Sequence, residues 1–233
     1  MHNNKRRVVI TGAGNITALG QDWPTFKTAL MNNQSAVTMM DEWHEVEGLH
    51  CYLGAPIDFK MPDHYSRKQL RSMGRVAQLG VRATELALED AGLTGHAVIK
   101  SGHTGVAYGS ATGSPDALLE FVSTLKQADA RALKATSYLR GMSHTAAVNI
   151  GVHFGLTGRM LTTSSACTAS SQAIGFAFET ISQGLQEVML AGGADELTVA
   201  HYAVFDALFA TSRSNQPPFQ TPRPFDQDRD GLV

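Results

Sequence analysis

The sequence predicts an α/β fold with a mixed, mostly parallel sheet covered by helices on both faces. Three observations carry that prediction. Short apolar segments at 6–11 (RRVVIT), 104–108 (TGVAY), 160–166 and 187–191 (EVMLA) read as strands. Stretches of helical period lie between them. Glycine or small-residue turns join strand to helix. No linker, low-complexity tract or internal repeat interrupts the pattern, so residues 1–233 read as one domain.

Each element has a local reason. Segment 6–11 is expected to be a short buried strand that runs into the turn Gly12-Ala13-Gly14. A helix follows, capped by Asp22 with Pro24 in its first turn and with Phe26 and Leu30 on one face. Residues 33–66 carry Pro56, Pro62 and scattered His and Asp, and read as irregular. Residues 74–91 form an amphipathic helix with Val76, Leu79, Ala83 and Leu86 on one face, stopped by Gly92. After strand 104–108, Ser114-Pro115 opens a helix through Leu118, Val122 and Leu125. Ser143 is read as the cap of another helix, with Ala147, Ile150 and Phe154 inward and Gly155 at its end. Strand 160–166 leads into helix 168–183. There Ala169, Ala173, Ala177 and Ile181 make a small-residue stripe suited to close packing. Strand 187–191 ends in Gly192-Gly193, a helix spans about 199–209, and the Pro-rich remainder reads as loop.

Composition narrows the function. Hydrophobic residues make up 43% and charged residues 17% of the 233, which supports a buried core. A formal net charge of −2 lacks the basic excess of a general nucleic-acid binder. The polar, basic residues 1–7 are followed by only three apolar residues, so no signal peptide is read there. No stretch approaches the roughly 18 apolar residues of a membrane span. The reading is a cytoplasmic protein with its two cysteines, Cys51 and Cys167, reduced.

Cys167 is the sharpest chemical feature. It lies between a strand and a helix, among Ser164, Ser165, Ala166, Thr168, Ala169 and Ser170. A strand-to-helix elbow exposes a nucleophile, and a helix N-terminus favours a thiolate. Backbone N–H groups at such a turn could steady an oxyanion. The competing reading is a small cysteine buried in a packed turn. From spacing alone both stay open. His144, His153 and His201 are partners by residue type only, and each reads equally as a surface or core histidine.

Other patterns are weaker. Gly12-Ala13-Gly14 fails the dinucleotide fingerprint, because the third glycine would fall at Thr17. A structural turn is the better reading. His44, His50, Cys51 and His64 match no standard zinc spacing, so no metal site is expected. No G-x-S-x-G, P-loop or H-E-x-x-H occurs. Arg67, Lys68, Arg71 and Arg75 cluster in SRKQLRSMGR, either as a solvated helix start or as a docking patch for an acidic partner.

Taken together, RRVVITGAGNITALG, SRKQLRSMGR, SSACTAS, VMLAGGADE and RPFDQDRDGLV, in this order, resemble the elongating ketosynthases of type II fatty acid and polyketide synthesis, the β-ketoacyl-[acyl carrier protein] synthases. The resemblance covers the whole chain and implies the N-terminal half of a thiolase-like fold. It implies that Cys167 takes an acyl group from a carrier thioester for condensation with malonyl-carrier protein. A chain-length-factor subunit would lack this cysteine. A degradative thiolase using coenzyme A has a different nucleophile segment.

The resemblance also implies carrier-protein contacts at Lys68 and Arg71, with Ser72 where the family often has a further basic residue. It places Phe205 as a gate beside the acyl pocket. Thr112 stands where the pocket often has an apolar residue, and DWP, MDEW and RSMGRVAQLGVRATELALEDAGL resemble ketosynthases of aryl-polyene clusters. No cofactor is implied. Partners would be the acyl carrier protein, acyl and malonyl thioesters, and a second ketosynthase subunit in a homodimer or heterodimer paired along strand 160–166. The family's two catalytic histidines and supporting lysine lie beyond Val233. The chain alone is therefore expected not to condense, and a non-catalytic subunit or remnant is the alternative.

Overall fold

The computed structural model describes residues 6–131 and 133–233; positions 1–5 of the polar, basic start lie outside them. In chain order the helices are α1 (Trp23–Met31), α2 (Arg67–Leu70), α3 (Arg75–Asp90), α4 (Pro115–Gln127), α5 (Ala135–Gly141), α6 (Thr145–Phe154), α7 (Ala169–Ser182) and α8 (Val199–Ala207). The strands are β1 (Thr38–Met39), β2 (Leu53–Gly54), β3 (Thr104–Gly109), β4 (Met160–Thr163) and β5 (Val188–Gly193). Among the described residues no helix is long and apolar enough to cross a membrane.

The chain divides into two compact units. One holds the described residues up to Gly14 together with Lys60–Glu196, and the other holds Asn15–Phe59 with Leu197–Val233.

The first unit is built on a parallel sheet of order β4-β3-β5. All six residues of β3 are buried, as a central parallel strand requires. Its alternation sorts the two faces. Val106 and Tyr108 join Leu190 and the helices α3 and α6, through Val76, Val81, Leu88, Ala147 and Ile150. Ala107 faces the other way, where Ala173 and Ala177 of α7 pack with Leu161 and Met189. Ala169, Ala173 and Ala177 are at most 6% exposed, so the small-residue stripe seats α7 closely on the sheet, while Ile181 is only half-buried.

Segment 6–11 departs from expectation. It is irregular, and Val9 and Ile10 are 65% and 90% exposed. The reason is the missing ladder: the Arg6 N–H donates to the Ser182 carbonyl at the end of α7 (2.9 Å) and, among the described residues, no strand lies alongside. The expected strand-to-helix turn at Gly12-Ala13-Gly14 is absent among the described residues, and the two glycines instead lie close against α3. Side chains at Gly12 or Gly14 would collide with the Ala87 and Ala83 carbonyls of α3. That contact also explains why Ala83 and Leu86 are half-buried on a second face of α3, away from Val76, Val81 and Leu88.

Helix α6 starts at Thr145 with His144 as its cap, one residue beyond the Ser143 expected, and Gly155 ends it at φ 69°. Helix α5 was not legible in the sequence. A glutamate on α4 supports it, since Glu120 accepts from both Ser137 and Arg140. Along α4, Leu119, Val122 and Leu125 are exposed.

In the second unit, Asp22 caps α1 by accepting the Thr25 N–H at 2.8 Å. Ala29 is buried whereas Leu30 is 48% exposed. Strands β1 and β2 pair antiparallel. The core joins Met40, Trp43, Leu49, Cys51, Leu53 and Tyr202.

Candidate functional site

Cys167 occupies the turn between β4 and α7. Strand β4 ends at Thr163, and a short 3-10 turn, Ala166–Thr168, precedes the helix. Ala166 holds a left-handed φ of 51°, a conformation that costs an L-residue about 1 kcal/mol or more and that clusters at functional turns. The surroundings over-determine this geometry. The Thr163 hydroxyl donates to the Ala169 carbonyl at 2.7 Å, and the Thr168 hydroxyl donates to the Ser165 carbonyl at 2.9 Å. Gly109 and Gly193, at the ends of β3 and β5, leave the space that the first turn of α7 fills: a side chain at either would collide with Ala169 or Ser170.

The outcome separates the two cysteines. Cys167 is exposed, against the reading of a cysteine buried in a packed turn. Cys51 is 0% exposed and accepts a hydrogen bond from the Tyr202 hydroxyl at 2.8 Å. The N–H groups of Thr168 and Ala169 are committed to the Ser165 and Ala166 carbonyls, so an oxyanion at this turn would need other donors.

The loop after β3 lies against this turn. The Ser164 hydroxyl donates to the Ala111 carbonyl at 3.3 Å, next to the exposed Thr112. Asp195, after β5, accepts from both the Ser110 hydroxyl and the Ala111 N–H at 2.9 Å. The ends of all three strands thus converge on the Cys167 turn, where ligands bind in open α/β sheets. Glu196 follows, half-buried. Burial first, and then Asp116 and Asp195 against an opposing Arg75, pushes its carboxyl up to about 7.

The remaining residues singled out in the sequence fall elsewhere. Phe205 stands on α8 in the second unit, 40% exposed. His144 faces Tyr138, and His153 stacks on Tyr65 with its titration lowered by burial. His201 lies on α8, its N–H capped by the Thr198 hydroxyl. His44 stacks on Tyr52, His50 pairs with the buried Asp206 at 2.9 Å, and His64 pairs with Glu85 at 2.9 Å. Among the described residues no cluster of three or more His, Cys, Asp or Glu could hold a metal ion.

Helix α2 displays the basic patch. Ser66 and Gln69 close a capping box around its start, and Arg67, Lys68 and Arg71 are exposed. Ser72 turns inward instead, donating to the Asn149 side chain at 2.8 Å. Asp195 and Glu196 escaped the sequence reading, as did the contact of the helix-opening Ser114 with α3, because only the sheet brings the ends of β3 and β5 together.

Residues 5–233 match the family model described as the N-terminal domain of β-ketoacyl synthase. The 3-oxoacyl-[acyl-carrier-protein] synthase 1 of Haemophilus influenzae is 31% identical across 98% of the chain. The crystal structure of a β-ketoacyl synthase from Burkholderia phymatum superposes with a TM-score of 0.94 at 49% identity, over 98% of this chain and 56% of that one. A type II polyketide acyl-carrier protein in complex with its ketosynthase bound to the hexaketide matches at TM-score 0.80 and 26% identity, over 98% of this chain and 55% of that one. The chain spans about half the length of such relatives, 56% of the Haemophilus protein.

Proposed function

The chain belongs to the β-ketoacyl synthase family, and from that premise we propose that its protein elongates acyl chains held on an acyl carrier protein. The observation that carries the reading is the exposed Cys167 in a strained turn at the converging strand ends. Its sulfur attacks the carbonyl carbon of an acyl-carrier thioester. The carbonyl-sulfur bond to the carrier breaks, and the carrier leaves as a thiol with the proton that Cys167 gave up. A malonyl group on a second carrier then loses carbon dioxide. The freed electron pair attacks the acyl-Cys167 carbonyl, and the Cys167 thiolate departs as the β-ketoacyl product forms.

No histidine described above is assigned to the decarboxylation, which the family resemblance gives to residues outside the described ones. The 233-residue chain by itself is accordingly expected to yield no β-ketoacyl product. Lys68 and Arg71 on α2 would steer the acidic carrier. Thr112 would line the acyl pocket, a polar threonine suiting a polyene better than a saturated chain, and the family resemblance implies a gating role for Phe205. A second subunit, the same or related, would pair along β4. That strand is an edge in the described sheet, with Met160 42% exposed. The same edge supports the second reading, a non-catalytic subunit that pairs with an intact ketosynthase.

The test is Cys167→Ala in the full-length gene product, with acyl-enzyme followed by mass spectrometry and elongation followed with malonyl-carrier protein. Both should vanish. Elongation that survives the substitution overturns the proposal, and a wild-type protein that neither acylates nor elongates leaves the non-catalytic reading. Faster acylation from coenzyme A than from carrier thioesters would point to a thiolase.

A further inference from the structure

Helix α3 begins a few residues after the exposed Arg71, and its start lacks a cap of its own. Gly74, the N-cap, has no side chain to accept the first-turn N–H groups. The acceptor comes from the loop after β3: Ser114 Oγ takes the Val76 N–H at 3.0 Å. Ser114 is 2% exposed, and its own N–H donates to the Arg140 carbonyl at 3.4 Å. Gly74 makes the approach possible, since a Cβ there would run into Ser114 Oγ and lie 2.7 Å from Ser114 Cβ.

The same loop leads to the nucleophile. The Gly113 N–H donates to Ser110 Oγ at 3.0 Å, and the Ala111 carbonyl accepts from Ser164, three residues before Cys167. Thr112 sits between these contacts. The start of α3, a few residues after Arg71, the Thr112 loop and the Cys167 turn are thereby linked by hydrogen bonds and the short backbone stretches between them, and Ser114 joins the first to the second.

We propose that Ser114 is a positioning residue whose hydroxyl holds the surface of Lys68 and Arg71 in register with the Thr112 loop and the Cys167 turn, so that a docked carrier aims its acyl thioester at the sulfur. The inference rests on the carrier-dependent function above. A thioester delivered by a docked protein arrives with its origin fixed, so a shift of the docking surface against the sulfur moves it out of the reactive geometry. A small thioester diffuses in and finds its own approach.

Ser114→Ala in the full-length protein tests this, with Cys167 acylation timed from one acyl group carried either on carrier protein or on free pantetheine. The carrier rate should fall about tenfold, the scale of one buried hydrogen bond lost, and the pantetheine rate should hold. The ratio comes from one preparation, so a reduced folded fraction cancels. Gly74→Ala crowds the same contact from the docking side and should lower the ratio too. Equal loss with both donors, or no loss, overturns the inference. Lys68→Ala with Arg71→Ala separates the two levels. If that pair leaves the ratio unchanged, the docking reading fails. If it collapses the ratio while Ser114→Ala does not, only the role of Ser114 fails.

Discussion

Glu196→Gln should make the protein more stable above neutral pH and leave it nearly unchanged near pH 4. Glu196 is half-buried beside Asp116 and Asp195, with its Oε2 buried and unpartnered among the described residues. Burial and those charges raise its carboxyl from 4.5 to about 7. Between those two values the folded state holds a proton that the unfolded chain has released. Stability therefore falls as pH rises through the window, and the loss is complete above about pH 7. At about 1.4 kcal/mol per pH unit the ceiling is about 3.4 kcal/mol. Solvent reaches much of the side chain, and screening reduces the expected effect to about 1–2 kcal/mol.

The assay is urea unfolding of wild type and variant in the full-length protein at several values between pH 4 and pH 8. His153, lowered by burial, contributes a slope of opposite sign below its unfolded value of 6.5, but it is present in both proteins and cancels in the difference. The difference should open between pH 4.5 and pH 7 in favour of Gln. Parallel curves would show that Glu196 ionises normally and refute the reasoning.

Two further outcomes follow from the packing. Iodoacetamide should label the exposed Cys167 in the native protein and reach Cys51 only on unfolding, since Cys51 is fully buried under the Tyr202 hydroxyl; peptide mass spectrometry reads both, and equal native labelling would contradict the assigned burial. Ala173→Leu should cost about 1–3 kcal/mol by overpacking α7 against Ala107, Leu161 and Met189, and should slow Cys167 alkylation because α7 follows directly on the Cys167 turn. Denaturant midpoints give the first effect, and an unchanged midpoint would mean that the stripe tolerates a larger side chain.

Much of this was written locally. The alternation of buried strands and amphipathic helices, the Asp22 cap, the Gly155 and Gly92 stops and the alanine stripe of α7 depend on near neighbours in the chain, and the residues alone determined them. So did the position of Cys167 between strand and helix, and the family pattern around it. Other features needed partners distant in sequence. Segment 6–11 looks like a buried strand by composition, yet a strand exists only where another edge pairs with it, and none of the described strands lies beside it. Helix α5 depends on Glu120 reaching across from α4. The exposure of one cysteine and the burial of the other follow from which side chains close over each. The tie from the start of α3 through Ser114 toward Cys167 arises because the parallel sheet sets the ends of β3, β4 and β5 side by side. Periodicity and motifs record what a residue prefers locally, whereas burial and hydrogen-bond partners are properties of the packed chain.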